Sequence, residues 1–408
     1  MNEPLSRPQP AVPASQGGSP VRATFLPIAV PWIGEREREL VLESLASGWI
    51  TTGPRSLELA RRVAGLAGAA HAVAVNSATG ALHLALEALG IGPGDEVVTP
   101  TYTFAATVNV IEHVRARPVL VDVEADTLCM DPRRVEAALG PRTRAILSVD
   151  YGGHPCDYDA LGALAGPRGI PIVDDAAHAL GAAHRGRPVG SAALARVTAF
   201  SFYATKNLTT GEGGAAVTDD AALAERIQLL SLHGMSRDAW KRYTDTGSWF
   251  YEVVAPGWKY NLSDVLAAVG VGQLERFDEF QRLRAARVAR YRDNLADVPE
   301  VRLPRPRPEV THAWHLFAIA LELERLRIDR AQFIRELRAE NIGTSVHFIP
   351  IHFHPHFRDS LGLREGAFPV AEDAYRRAIT LPLFPRMSEA DVDDVCEAVR
   401  RIARHFRR

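Results

Sequence analysis

The chemistry of this 408-residue chain centres on one lysine. Lys206 falls between two apolar runs, residues 197–202 and 215–218, and no other Lys or Arg lies between Arg196 and Arg226. The first run is β-branched and aromatic and reads as a buried strand. A turn holding Gly211, Gly213 and Gly214 leads into the second. A lysine desolvated between strands gives up its proton more readily, because burial disfavours the charged ammonium. The neutral amine is the nucleophile that Schiff-base chemistry requires. A solvated loop lysine fits this segment alone at least as well, so the decision rests on what accompanies Lys206.

A lysine that holds pyridoxal 5′-phosphate needs an anion site, a carboxylate for the ring nitrogen and a surface against the ring. Asn76-Ser77-Ala78-Thr79-Gly80 joins a strand to a helix and so aims backbone N–H groups and a positive helix end at an anion. Thr79 adds a hydroxyl, and Ser201 reaches the same region from the strand leading to Lys206. The apolar strand ending at Asp174-Asp175-Ala176-Ala177-His178 supplies the carboxylate, with Asp175 the choice and Asp174 structural. His178 packs beside the ring or is a structural histidine. Two adjacent acids also suit a metal, but no third ligand stands nearby, and no metal is expected. Phe104, in Pro100-Thr101-Tyr102-Thr103-Phe104, is either the ring-stacking aromatic or ordinary core.

The elements that must position these groups alternate along the chain. Strands are expected at residues 71–75, 96–99, 119–123, 145–149, 171–174, 197–202 and 215–218. Helices are expected at 33–47, 57–67, 79–89, 105–113, 132–139 and 158–165. Such alternation predicts a mostly parallel sheet covered on both faces, with ligands at the carboxyl ends of its strands. The expected organisation is a disordered leader over residues 1–24, a large domain with an N-terminal arm over 25–265, and a smaller α+β domain over 266–408. That last domain opens with a long helical stretch at 263–297. It continues with strands at 314–323 and 344–349 and helices at 328–341 and 388–406, the last opened by the capping pattern Ser388-Glu389-Ala390-Asp391.

Composition narrows the class. A formal net charge of −2 leaves no electrostatic footprint for nucleic acid. Three scattered cysteines suit a reducing cytoplasm, and no apolar run is long enough to span a membrane. The leader lacks the apolar core of a signal peptide.

Taken in order, Asn76-Ser77-Ala78-Thr79-Gly80-Ala81-Leu82-His83, Gly94-Asp95-Glu96-Val97-Val98-Thr99-Pro100-Thr101-Tyr102-Thr103-Phe104, Asp174-Asp175-Ala176-Ala177-His178, Ser201-Phe202-Tyr203-Ala204-Thr205-Lys206-Asn207, Gly211-Glu212-Gly213-Gly214 and Gly257-Trp258-Lys259-Tyr260-Asn261-Leu262 resemble the DegT/StrS family of nucleotide-sugar aminotransferases. The resemblance covers about residues 28–406. It implies an aspartate-aminotransferase-type fold (fold type I), with a seven-stranded sheet in the large domain, and a cytoplasmic homodimer with active sites shared between subunits. Lys206 would hold the cofactor through an aldimine, Asp175 would pair with its ring nitrogen, Phe104 would stack on the ring and His178 would lie beside it. Thr79, Gly80 and Ser201 would bind the phosphate, joined by Asn261 from the partner subunit. Some family members carry histidine in place of the lysine and dehydrate the sugar; retention of Lys206 argues for transamination. The implied reaction moves an amino group from L-glutamate to a ketosugar nucleotide in two ping-pong halves.

Two further stretches bear on the sugar. Arg237 lies in a cationic segment, residues 233–242, that either meets a diphosphate or forms an exposed loop. Four histidines occupy residues 347–356, but Pro350 and Pro355 break the run and it holds no carboxylate or cysteine, so it is not expected to bind zinc. The resemblance places His347 and His352 at the sugar pocket. Both stretches look most like members that aminate C4 of a UDP- or dTDP-linked 4-ketosugar. The alternatives are amination at C3 or of a cyclitol ketone. A reading from another class is a non-catalytic cofactor-binding scaffold, which should lack Lys206 or Asp175.

Overall fold

The structure, a computed structural model, describes residues 12–236 and 250–408; Arg237 and most of its cationic segment lie outside the described residues. Helices α1 (Glu35–Ser47) and α2 (Pro54–Ala67) precede the sheet. The chain then runs β1 (His71–Val75), α3 (Ala78–Ala88), β2 (Glu96–Pro100), α4 (Ala105–His113), β3 (Arg117–Val121), α5 (Pro132–Ala138) and β4 (Thr143–Val149). It continues through α6 (Tyr158–Ala165), β5 (Ile172–Asp175), a small hairpin of β6 (Ala183–His184) and β7 (Arg187–Pro188), β8 (Val197–Ser201), β9 (Gly214–Thr218) and α7 (Ala221–Leu230).

Seven of these strands form one sheet in the order β1-β9-β8-β5-β4-β2-β3, and only β9 opposes the others. The strands read as near-continuous apolar runs because both faces are covered. Successive residues feed opposite sides: Val97, Ala145 and Val173 pack under Leu82 of α3, Ile111 of α4 and Ile227 of α7. Val98, Ile146 and Ile172 pack with Leu59 of α2, Val135 of α5 and Leu161 of α6. This is the expected α/β architecture of fold type I aminotransferases.

Beyond the sheet, the predicted stretch at 263–297 is two helices, α8 (Asp264–Glu275) and α9 (Phe277–Leu295). They part at Arg276, whose guanidinium turns aside to pair with the buried Glu37 carboxylate at 2.6 Å. The rest of the chain adds β10 (Val301–Arg302), β11 (Val310–Thr311), β12 (Phe317–Leu321), α10 (Arg330–Ala339), α11 (Pro355–Leu361), α12 (Pro369–Arg377), β13 (Ala378–Leu381) and α13 (Glu389–His405). Its strands pair in the order β10-β12-β13, while β11 reaches back to β6. Ser388 and Asp391 form the predicted capping box, their side chains accepting each other's backbone N–H at 3.1 and 2.8 Å. Among the described residues no helix is long and apolar enough to cross a membrane.

Two expectations give way. Residues 344–349 are not a strand: Ser345 alone bridges Thr380, after which His347 and Phe348 turn toward the Lys206 pocket. Residues 12–24 are not a loose leader. Ala14 and Val21 donate their N–H groups to the two oxygens of buried Glu340 at 2.9 and 2.7 Å. Arg22 pairs with Asp391 and Asp394, and Leu26 enters the core formed by β12, β13 and α13. Polar composition hid this because the segment is held by backbone N–H groups, which composition does not reveal.

Candidate active site

A cavity of about 520 Å³ opens at the carboxyl ends of the central strands, with Lys206, Asp175, His178, Thr79, Ser201 and Phe104 among the residues lining it. Lys206 follows β8, in a turn where its N–H donates to the Tyr203 carbonyl at 2.9 Å. Burial lowers its amine from 10.5 to about 8, with the Asp175 carboxylate pulling the other way. Asp175 ends β5 and is held from two sides. The Thr107 hydroxyl donates to Oδ2 at 2.7 Å and the Ala177 N–H to Oδ1 at 3.2 Å. Burial still raises its carboxyl above the usual range.

His178 presents a neutral ring to this pair. Gly152 N–H donates to its Nδ1 at 3.2 Å, so its own proton lies on Nε2. Burial first, and then the nearby Lys206 and His347, hold it well below the ordinary histidine range. The Phe348 ring stacks on His178 at 5.7 Å between centroids, and Phe104, exposed at the N-terminus of α4, lies 6.0 Å from Phe348.

The anion site is built at the start of α3. Ser77 caps the helix by accepting the Gly80 N–H at 3.0 Å, which leaves the first-turn N–H groups of Ala78 and Thr79 beside the cavity. Strand β9 presses on this turn: a Cβ at Gly214 would stand 2.5 Å from Ser77 C and 2.6 Å from Ala78 N. Gly80 itself packs against Tyr260 rather than lining the cavity.

His347 reaches the cavity, its Nδ1 2.9 Å from the Thr380 hydroxyl, and burial lowers it to about 4. His352 does not. It is buried between Thr101 at 2.8 Å and Glu372 at 3.1 Å, where it ties the 350s segment to the core, which corrects the expectation of a pocket role. Asn261 also stands outside its own cavity; it bridges Val75 and donates its amide to the Thr52 hydroxyl at 2.6 Å. Among the described residues no three His, Cys, Asp or Glu side chains gather as metal ligands would.

The sequence reading missed two contributors. His315 faces Lys206 and His178, with ring centroids 4.4 Å apart in the histidine pair, and its Nδ1–H donates to Asn207 Oδ1 at 3.2 Å. It lay inside a run read as strand and core. Thr107 lies in the helix expected at 105–113, and its side-chain target, Asp175, is 68 residues away.

These residues fit pyridoxal phosphate: a half-buried amine and a buried carboxylate lining one cavity, a helix N-terminus for the phosphate and a neutral aromatic wall. The DegT/DnrJ/EryC1/StrS aminotransferase family matches residues 31–400. The spore coat polysaccharide biosynthesis protein SpsC of Bacillus subtilis (strain 168) is 48% identical over 384 residues, covering 94% of this chain and 98% of that protein. The PMP form of the putative sugar aminotransferase Spr1654 from Streptococcus pneumoniae superposes with a TM-score of 0.88 at 36% identity, covering 93% of this chain and 99% of that one. Its PLP form gives 0.87 at 35%, again over 93% and 99%. DesI, solved in the presence of its TDP-sugar product, gives 0.84 at 34% identity and covers 95% of each chain.

Proposed function

The chain belongs to the DegT/DnrJ/EryC1/StrS aminotransferase family and is a pyridoxal-phosphate sugar aminotransferase, and on that premise we propose that it transfers the amino group of L-glutamate to C4 of a nucleotide-linked 4-ketosugar, in two ping-pong halves. The observation that carries this is the Lys206–Asp175 pair in one cavity, since a scaffold without catalysis has no use for an amine lowered to about 8 across from a buried carboxylate.

Bound pyridoxal phosphate supplies a protonated ring that accepts the electron pair released at the substrate carbon. The chain's own residues do the rest. Asp175, fixed by Thr107 and Ala177, holds the proton at the ring nitrogen. The first turn of α3, Thr79 and Ser201 anchor the phosphate. His178 and Phe348 wall one side of the cavity and exclude water. Lys206 Nζ removes the proton from the donor's α-carbon in the first half and delivers one to the sugar carbon in the second. His347 at the cavity and Arg237 in the cationic segment are the contacts assigned to the sugar nucleotide, and Asn261 serves the partner subunit's phosphate site.

The visible spectrum of the holoenzyme tests this. L-Glutamate should bleach the absorbance of the bound cofactor, and a 4-ketosugar nucleotide should restore it and yield a 4-amino product by NMR. No bleaching with glutamate removes the donor assignment, and amination at another carbon removes the C4 assignment.

A further inference from the structure

Behind Asp175 two further carboxyls are sealed from water. Alternation along β5 turns Asp174 to the face opposite Asp175, beside Asp150 at the end of β4; they are 1% and 0% exposed. Ser148 Oγ donates to Asp174 Oδ1 at 3.0 Å. The Cys156 N–H and the Tyr158 hydroxyl donate to Asp150 Oδ1 at 2.8 and 2.9 Å, and Tyr158 also lies against Asp174. Asp174 Oδ2 and Asp150 Oδ2 are both buried with no hydrogen-bond partner.

The groups facing the pair are Ser148 from β4, Asp175 from β5, Tyr158 from α6, and the thiols of Cys129 and Cys156. None is a cation. The Cys129 and Cys156 sulfurs lie 3.3 and 3.2 Å from the His154 and Val149 carbonyl oxygens, to which their S–H groups donate, so they face the pair as neutral thiols. Two buried, uncompensated carboxylates side by side cannot both stay ionised, and orphan acceptors in such a place call for a proton.

We propose that Asp174 and Asp150 hold one proton between them across Tyr158, and that this pair positions Asp175 by limiting the negative charge behind it. The proton turns one orphan oxygen into a donor and leaves a single charge on the pair. Burial and the neighbouring Asp175 push the Asp174 carboxyl up to about 7, and burial with the Asp174 charge beside it raises Asp150 well above the usual range. The action on Asp175 rests on the ring-nitrogen role given above, whereas the shared proton does not.

The test compares the holoenzyme with Asp174→Asn, a neutral isostere of one member of the pair. An unfolded aspartate titrates near 3.9, so between about pH 4 and 7 the folded chain binds the extra proton and loses stability as pH rises, levelling above. Asparagine removes that loss. The stability of Asp174→Asn relative to wild type should therefore rise across this window, by roughly tenfold in the folding equilibrium for each pH unit of displacement. The bound cofactor's absorbance should show a pH step near 7 in wild type that the variant lacks. Should Asp174→Asn not fold, Tyr158→Phe keeps the ring, removes the shared donor and extends the fall to higher pH. Parallel stability curves overturn the shared proton. A changed stability slope with an unchanged cofactor step overturns the positioning role alone, and neither result touches the reading of Lys206.

Discussion

At the scale of single residues, the site depends on one amine being neutral when it must attack. Lys206 is half-buried beside His178, His315 and His347, all three of which are held below the ordinary histidine range, so among the described residues its close charge partner is Asp175. An amine lowered to about 8 gains its neutral form as pH rises through that value. Uptake of pyridoxal phosphate by the cofactor-free chain should therefore accelerate with pH and level off above about 8. A rate still climbing at pH 10 would show an ordinary solvated lysine. Lys206, Asp175 and His178 were legible in the sequence because each lies at the end of an apolar run, where a parallel sheet must place its ligands. His352 was misjudged because a histidine run fixes spacing and not direction: His347 turns to the cavity while His352, five residues on, turns to Glu372. Thr107 and His315 were beyond reach because their partners, Asp175 and Asn207, are 68 and 108 residues away.

At the scale of elements, the phosphate site exists because β9 can lie against the start of α3. A methyl group at Gly214 would meet the backbone of Ser77 and Ala78 at 2.5 and 2.6 Å, and backbone cannot swing aside as a side chain can. Gly214→Ala should lower the unfolding temperature by the equivalent of about 1–3 kcal/mol and weaken pyridoxal phosphate binding together with it. Gly140→Ala is the control: nothing stands within 4 Å of its Cβ position, and it should move neither quantity. Loss of stability with unchanged cofactor affinity would mean that the turn does not serve the phosphate. The strands were readable to within a few residues because burial on both faces leaves long apolar runs, His71–Val75 among them without error. Residues 344–349 look equally strand-like in composition. They fail to become one because the ladder beside β13 ends at Ser345, and the side chains beyond it serve the cavity.

At the scale of the whole molecule, the single chain leaves apolar surface that its own core does not use. In α1, Leu40 is fully buried, while Leu42 and Leu45 stand 64% and 51% exposed; Ile50 and Leu57, on the way into and within α2, are 56% and 60% exposed. A helix was expected over α1, yet its outward leucines carry no signal that separates a solvated face from a docking face. Phe104 and Tyr203 are likewise exposed at the cavity, and Asn261 stands outside it. A second copy of the chain seated on this face would cover the leucines and bring Asn261 to its neighbour's cavity. Leu45→Glu with Ile50→Glu should then weaken self-association by at least about a hundredfold, since each buried apolar anchor is worth about 1–2 kcal/mol and a buried charge costs more. In sedimentation the wild-type holoenzyme should run at twice the chain mass, and the variant should shift toward one chain while keeping its far-UV spectrum. If each site draws Asn261 from its neighbour, turnover should fall with the fraction of dimer and recover at high protein concentration. A variant that becomes monomeric yet turns over at the wild-type rate would show that the cavity is complete within one chain, and Asn261 would lose its assigned role.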